Sequence, residues 1–592
     1  MQSKCFHALS AALLLAPFLA LPGVAVAGLV ANPICPTETV LFNPDQGQDI
    51  VVPTGFKISV FATSLNFPTG IAFRGDSRNF QVYVLESGHG IPSRCNEQGS
   101  FPGGEFAANN PFTPDILVFN QNGKLIRGPI GKPTASGDGF QPAGPAIDIA
   151  FEHGFQGGRL FATDSNQATH AGGQNNSSRI IIVNPITGSV TPFIANLPTG
   201  DHPSEQLAFK DGWIYWSQGS TTNSGVVGLD NGSGTNQSDI PCQDITLSNN
   251  VFDSGNGVFT SGYSPFNVQQ PGATIPAFFN SFTGQVRQGV CDGAILRAQL
   301  SNSNNIQAFS WGYRNGYAIR FPPKDHPLAG GILVGEDGAD ERGARPSNGA
   351  PDALHLGIQN PDGSPDYHGW PDRYGFLPTS QAVFNPLGGP SDDLCVPDSS
   401  NPPTLCTPAS LALIQQEDVP IRDVLAGPPQ PITSPIAIEA ADSSFTGIDF
   451  VPDAFVTGPV KPGAVLYTLE GDFGFSPANA TAPANSTEPA QEVGHEVKLI
   501  NFNQLPGTPL ALRIQRFAHN NTFEQAFPDG LRGFNRPTNV RFGPDGCAYV
   551  ADYGAVRDNG QSDSAARWLD SADAPLVQFP GTGVIWKICP AP

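Results

Sequence analysis

The stretch RPTNVRFGPDGCAYVAD (residues 536–552) reads as two short strands around a tight turn. The first strand closes on Phe542, the Gly/Asp-rich turn GPDG follows, and AYVAD runs out on Asp552. Alternating apolar residues bounded by Gly, Pro and Asp mark a strand pair rather than a helix. Working back along the chain, the same unit recurs with strands closing at Phe73, Phe151, Phe209, Phe321 and Phe450. Their partner strands read VYVLE to Glu86, LFATD to Asp164, IYWSQ to Gln218, ILVGE to Glu336 and LYTLE to Glu470. A small sheet cannot bury both its faces alone, so six copies predict six sheets packed radially. The expected fold is all-β, a six-bladed β-propeller with long inserted loops. With 67 Gly and 58 Pro punctuating short strands and no long run of period 3.6, no sizeable helix is expected.

The landmarks are unevenly spaced, from 58 residues (Phe151 to Phe209) to 129 (Phe321 to Phe450), so large loops interrupt the repeat. The Pro-rich stretch at 377–435 reads as the largest insertion. Residues 1–27 read as a secretory signal: Lys4, an Ala/Leu-rich stretch, then Ala25-Val26-Ala27 as a small-residue cleavage site. Residues 28–592 are expected to form one propeller domain, secreted, or periplasmic in a bacterium.

Cleavage after Ala27 removes Cys5 and leaves eight cysteines, enough for four disulfides in an exported chain. Cys395 and Cys406 are spaced to staple a loop, and Cys547 and Cys589 to pin the last sheet. Sequons at Asn175, Asn176, Asn231, Asn236, Asn479, Asn485 and Asn520 lie in polar stretches and read as surface glycosylation sites where the host glycosylates. A formal charge of −22 would repel nucleic acid and anionic lipid, so neither is an expected partner. No other segment is long and apolar enough to span a membrane.

The repeat also serves as a ruler. Residues five to seven places before each Phe should meet at one mouth of the central channel. They include Pro68, Pro145, His202 beside Asp201, Arg314 with Asn315, Ser444 and Arg536. A neutral imidazole takes a proton from a hydroxyl near neutral pH, and a neighbouring carboxylate orients it. The alternative for His202 is an exposed turn histidine. Arg314 and Arg536 suit a carboxylate or a developing oxyanion, or else a structural salt bridge. The run GEDGADERG (335–343) is oxygen-rich and suits Ca²⁺, or is a solvated acidic turn. There is no GxGxxG opening a helix, no Walker A sequence and no GxSxG elbow.

With these residues in place the chain resembles the glucose/sorbosone dehydrogenase family, soluble six-bladed propellers that use pyrroloquinoline quinone (PQQ) with Ca²⁺. The likeness is carried by GPAIDIAFEHGFQGGRLFAT (144–163), GDHPSEQLAFKDGWIYWSQG (200–219), WGYRNGYAIRF (311–321), YHGWP (367–371) and RPTNVRFGPDGCAYVADYG (536–554). The resemblance implies His202 as base with Asp201 beside it, and Arg314 and Asn315 on the cofactor and the nascent anion. It implies Arg536 and Gln141 as further binding residues, and Gly338 and Ala339 as the turn whose carbonyls hold Ca²⁺. It implies a sugar substrate and, in the absence of a CxxCH haem motif, an external electron acceptor. This chain departs from the family pattern at Thr538 and Asp472, where basic residues are expected, and at Asp352-Ala353, where a DE pair often stands. PQQ bears three carboxylates, so two cationic contacts are missing. Two other functions suit such a scaffold: a Ca²⁺-dependent lactonase-type hydrolase with Glu86, Glu336 and Asp552 on the axis, and a non-catalytic carbohydrate-binding propeller.

Overall fold

The computed structural model describes residues 28–88, 95, 98–167, 174–231, 237–340, 342–381, 419–471, 493–503, 510–522, 525–527, 530–557 and 576–591. Six antiparallel sheets follow one another along the chain. Their innermost strands are Pro68–Asp76, Ile149–Phe151, Ser204–Lys210, Asn315–Arg320, Phe445–Phe450 and Pro537–Phe542. In each blade the next strand out is the partner identified from the sequence, from Asn79–Glu86 in blade one to Ala548–Asp552 in blade six. The six-bladed propeller is therefore observed, with the Phe landmarks at one end of the inner strands.

Ring closure joins the two ends of the chain. Phe56–Leu65 is the outermost strand of blade six and pairs antiparallel with Gly583–Pro590. A disulfide between Cys547 and Cys589 ties the second and third strands of this closing blade. Cys35–Cys95 and Cys242–Cys291 form two more bridges. Cys395 and Cys406 lie outside the described residues, as do residues 1–27 and Asp472. Among the described residues no helix is long and apolar enough to cross a membrane.

Blades stack face to face, so strands such as Ala548–Asp552 are buried along their whole length. Adjacent inner strands approach so closely that a Cβ on Gly447 would stand 2.6 Å from the Val540 nitrogen. Hydroxyls stitch the ring at this level: Thr446 Oγ1 donates to the Pro537 carbonyl at 2.7 Å, and Thr538 Oγ1 to the Pro68 carbonyl at 2.8 Å. In blades one, three, four, five and six the register between the inner strand and its partner shifts near the opposite end from the Phe. Such bulges bend the strand and re-aim its side chains, here at the mouth where the polar residues gather.

The channel is closed below that mouth. Arg541 of blade six donates to Gln206 of blade three at 3.0 Å and to the Ile448 carbonyl of blade five at 2.9 Å, and lies 3.5 Å from Asp148 of blade two. Gln206 in turn donates to the Thr446 carbonyl. Beneath this plug a cavity of about 470 Å³ is lined by five of the six Phe landmarks.

A second long insertion, 219–293 within blade three, lacks the strand-pair pattern and carries only short two-stranded ribbons. One expectation needs correction. Asn231 and Asn520 are not surface sites. Both side chains are buried, and Asn520 exchanges hydrogen bonds with the Phe534 backbone at 2.8 and 2.9 Å. Of the Pro-rich stretch, residues 382–418 lie outside the description, while Val424 and Leu425 are anchored by backbone N–H groups on the Asp372 carboxylate.

Candidate functional site

Two adjoining loops place His202 and Arg314. The Asp201 and His202 amides donate to the Thr221 and Ser220 carbonyls, and the Gly219 amide donates back to the Pro203 carbonyl. A Cβ on Gly219 would meet His202 Cβ at 2.3 Å, so only glycine lets these strands of loop approach. The Ser220 amide then donates to the Arg314 carbonyl at 2.8 Å, and the Arg314 amide donates to Glu336 Oε1 at 2.7 Å. One continuous piece of backbone thereby fixes the histidine of blade three against the arginine of blade four.

The charges interlock. Arg314 donates through Nη1 to the Gly338 carbonyl at 2.7 Å, and through Nη2 to Asp340 at 2.6 Å and Asp201 at 3.2 Å. Arg342 donates to both Asp201 oxygens at 2.8 Å, to Asp340 at 2.9 Å and to Asp230 at 3.2 Å. Burial alone would raise the Asp201 carboxyl, but Arg342, His202 and Arg314 outweigh it and hold it well below the usual carboxylate range. His202 Nε2 lies 3.4 Å from Asp201 Oδ2, and its side chain keeps 20% of its surface exposed. Burial, then the Arg314 cation, pushes the imidazole down to about 3, so the ring is neutral at neutral pH.

Several buried polar atoms here have no hydrogen-bond partner: His202 Nε2, Arg314 Nε, Asn315 Oδ1, Asp337 Oδ1 and Glu205 Oε2. Unpaired buried polar atoms are costly, and their concentration at one mouth marks a place built to receive something. Asn315 Nδ2 donates to Asp337 Oδ2 at 3.1 Å, which leaves the other oxygen of each group open.

The structure thus brings Asp201, His202, Arg314 and Asn315 together, with Gly338 on the Arg314 fork. The Ala339 amide donates to the Tyr374 hydroxyl at 2.6 Å. Arg536 stands on blade six, fully buried, with its amide on Asp552 and Nη1 on the Gly471 carbonyl at 2.9 Å. Burial, against the opposing pull of the Arg536 cation, pushes the Glu470 carboxyl up to about 7. Gln141 lies on blade two, where its amide donates to Asp164 and its Nε2 to the Ser177 carbonyl at 2.8 Å. Thr538 is buried with its hydroxyl spent on the Pro68 carbonyl.

The carboxylates offered for a hydrolase, Glu86, Glu336 and Asp552, do not stand free on the axis. Glu86 caps the Asn66 amide at 2.5 Å, Glu336 caps the Arg314 amide, and Asp552 caps the Asn535 and Arg536 amides. An acid at the end of the second strand closes the loop that feeds the inner strand of its own blade. Three other acids are buried here, Glu205, Asp337 and Glu470; burial first, and then the Glu470 charge among others, raises both Glu205 and Asp337. The run 335–343 singled out in the sequence holds Asp337, Asp340 and Arg342, whereas Glu205, Glu470 and Asp230 were not anticipated as site residues. A signal was present for Glu205: it occupies the inner-strand position four before Phe, where Thr69, Thr446 and Thr538 stand in other blades. Among the described residues no three His, Cys, Asp or Glu side chains are grouped to hold a metal.

No protein-family model matches the chain. No curated protein sequence matches it either. Among solved structures it is similar to an iodide structure of the Trichoderma reesei carbohydrate-active enzyme family AA12, at 14% identity and TM-score 0.43, over 92% of this chain and 98% of that one. It is similar also to the holo form of the pyranose dehydrogenase PQQ domain from Coprinopsis cinerea, at 12% identity and TM-score 0.43, over 91% and 97%. Identities this low with TM-scores below 0.5 carry nothing about function.

Proposed function

We propose that the chain is a secreted PQQ-dependent dehydrogenase that oxidises a sugar or related aldose and passes electrons to an external acceptor. The observation that carries this reading is His202 Nε2: buried, free of hydrogen bonds, on a neutral ring beside an ionised Asp201. Such a nitrogen accepts the proton of a substrate hydroxyl, and the imidazolium then formed lies against the Asp201 carboxylate. Asp201 stays ionised throughout because Arg342 and Arg314 hold it.

The polar atoms open at the mouth suit the quinone. Arg314 Nε is a donor without an acceptor, and Arg536 adds a second buried cation on blade six. These two would face carboxylates or ring oxygens of PQQ, and bound PQQ would supply the two-electron hydride acceptor. Arg314 Nη1 and Nη2 are already committed to Gly338, Asp201 and Asp340, so they orient rather than bind. The turn at 338–339 suits Ca²⁺ less well, since the Gly338 carbonyl accepts the Arg314 guanidinium.

A second reading, a Ca²⁺-dependent lactonase-type hydrolase, is favoured by the buried Glu205, Asp337 and Glu470. Dye reduction with a panel of aldoses, after loading with PQQ and Ca²⁺, separates the two. Turnover that requires PQQ and disappears in His202→Ala supports the dehydrogenase. Lactone hydrolysis without quinone supports the hydrolase.

A further inference from the structure

We propose that the cavity at the phenylalanine end of the channel binds a small aromatic carboxylate, held by Arg320 and entered beside Phe155. The residue before each landmark Phe stands at the same place in its blade. It is Ala72, Ala150 and Ala208 in blades one to three, and Arg320, Asp449 and Arg541 in blades four to six. All but Asp449 line the cavity. Three alanines on neighbouring blades leave the space, and charged side chains take the same level on the other half of the ring. At about 470 Å³ the cavity has the size of a small-molecule site.

Five of the landmark phenylalanines make the wall aromatic. Phe73 already packs edge-on against Phe80, Phe155 and Tyr549, with ring centroids 6.2, 6.1 and 4.9 Å apart. A flat aromatic guest adds further pairs of this kind, which an aliphatic one of equal area does not. Phe155 lines the cavity from the turn Gly154–Gln156 and is 44% exposed, so its ring has a free face for such a guest. Arg320 supplies the charge. Its Nε donates to Asp449 Oδ1 at 2.8 Å, the side chain keeps 32% of its surface, and among the described residues its two Nη groups make no hydrogen bond. A guanidinium with both Nη groups open takes a carboxylate. The other charges of the wall are already answered. Arg541 is spent on the Ile448 and Val540 carbonyls and on Gln206. Asp148 Oδ2 accepts the Leu207 amide at 3.1 Å and lies 3.5 Å from Arg541, and Arg159 holds both oxygens of Glu152. Burial first, and then the Arg320 charge, lower the Arg541 pKa against the pull of Asp148, so an anion on Arg320 relieves a repulsion between two cations.

This site does not rest on the quinone reading, and its test uses quinone-free protein. Benzoate and naphthoate are titrated calorimetrically into the native chain, Arg320→Gln, Phe155→Ala and Arg536→Gln. One carboxylate per chain should bind, about tenfold or more weaker in Arg320→Gln, which removes a charge-assisted contact. Phe155→Ala should weaken it a few-fold, and Arg536→Gln should leave it unchanged. Cyclohexanecarboxylate should bind more weakly than benzoate, and benzyl alcohol more weakly still. Absence of binding by the native chain at millimolar concentration overturns the proposal. So does binding that Arg320→Gln leaves intact, or that Arg536→Gln weakens, which would put the anion at the opposite mouth. Tighter binding of benzyl alcohol than of benzoate would make Asp148 the recognising group and overturn it as well. If Arg320→Gln fails to fold, the exposed Phe155→Ala decides: native affinity in that variant overturns the proposal.

Discussion

Arg541 of blade six reaches Gln206 of blade three, Nη2 to Oε1 at 3.0 Å, and so closes the channel from the opposite side of the ring. Blades two and five join the same plug through Asp148 and the Ile448 carbonyl. The phenylalanine-lined cavity lies against this plug, with Arg541 and Asp148 in its wall. Replacing Arg541 by Met removes one member of a buried network and leaves Asp148 and Gln206 without it. The expected cost is about 3–5 kcal/mol, read as a fall in denaturation midpoint. An unchanged midpoint would mean that the plug does not brace the ring.

His202→Gln removes the base and leaves the loop's backbone bonds intact. A loss of about 100- to 10,000-fold in kcat is expected, with little change in melting temperature. Activity within a few-fold of native would assign the proton to another group.

Arg342 acts on His202 through Asp201. In Arg342→Met, one cation that depresses the imidazole is gone and Asp201 is left less compensated, so the His202 pKa rises from about 3. The acid limb of kcat/KM should move to higher pH in this variant. A purely structural arginine would lower stability without moving that limb.

Stability is expected to rise as the pH falls from 8 and to level off on the mildly acidic side. Burial first pushes Asp352, Glu470 and Glu496 up to about 7, and Asp239 to about 6. Between about pH 8 and 6.5 the folded chain takes up protons on these groups while the unfolded chain, with carboxyls near 4, does not. Stability therefore rises as pH falls through that window. Below about 6.5 the sign is opposed by His202 and His495, pushed down to about 3, and His368, to about 4, because the unfolded chain then binds protons that the folded imidazoles refuse. Melting temperatures measured in EDTA from pH 8 to 5 should climb and then flatten. A steady decline across the whole range would contradict these environments.

The repeat was readable because each blade's two inner strands are local: Phe542 and Asp552 lie ten residues apart and every copy keeps that grammar. The position of His202 beside Arg314 was readable for the same reason, since the ruler compares like places in successive blades. What could not be read depends on ring closure and on loops without a period. Arg342 looked like part of a solvated acidic run, yet it is half-buried against Asp201, 141 residues away. Arg541 carries no signal of its own in NVRF: its strand is innermost and its neighbours across the axis, such as Gln206, come from distant sequence. Glu86, Glu336 and Asp552 shared a place in the repeat that suggested an axis; what they share instead is a backbone amide to cap.

The central claim is that this mouth binds PQQ through Arg314 and Arg536 and uses His202 as base. Titrating PQQ into the quinone-free protein with Ca²⁺ present, followed by absorbance and calorimetry, tests it most directly. The account predicts saturable binding of one quinone per chain, weakened in Arg536→Gln and retained in His202→Gln. No binding, or binding indifferent to Arg536, would contradict it.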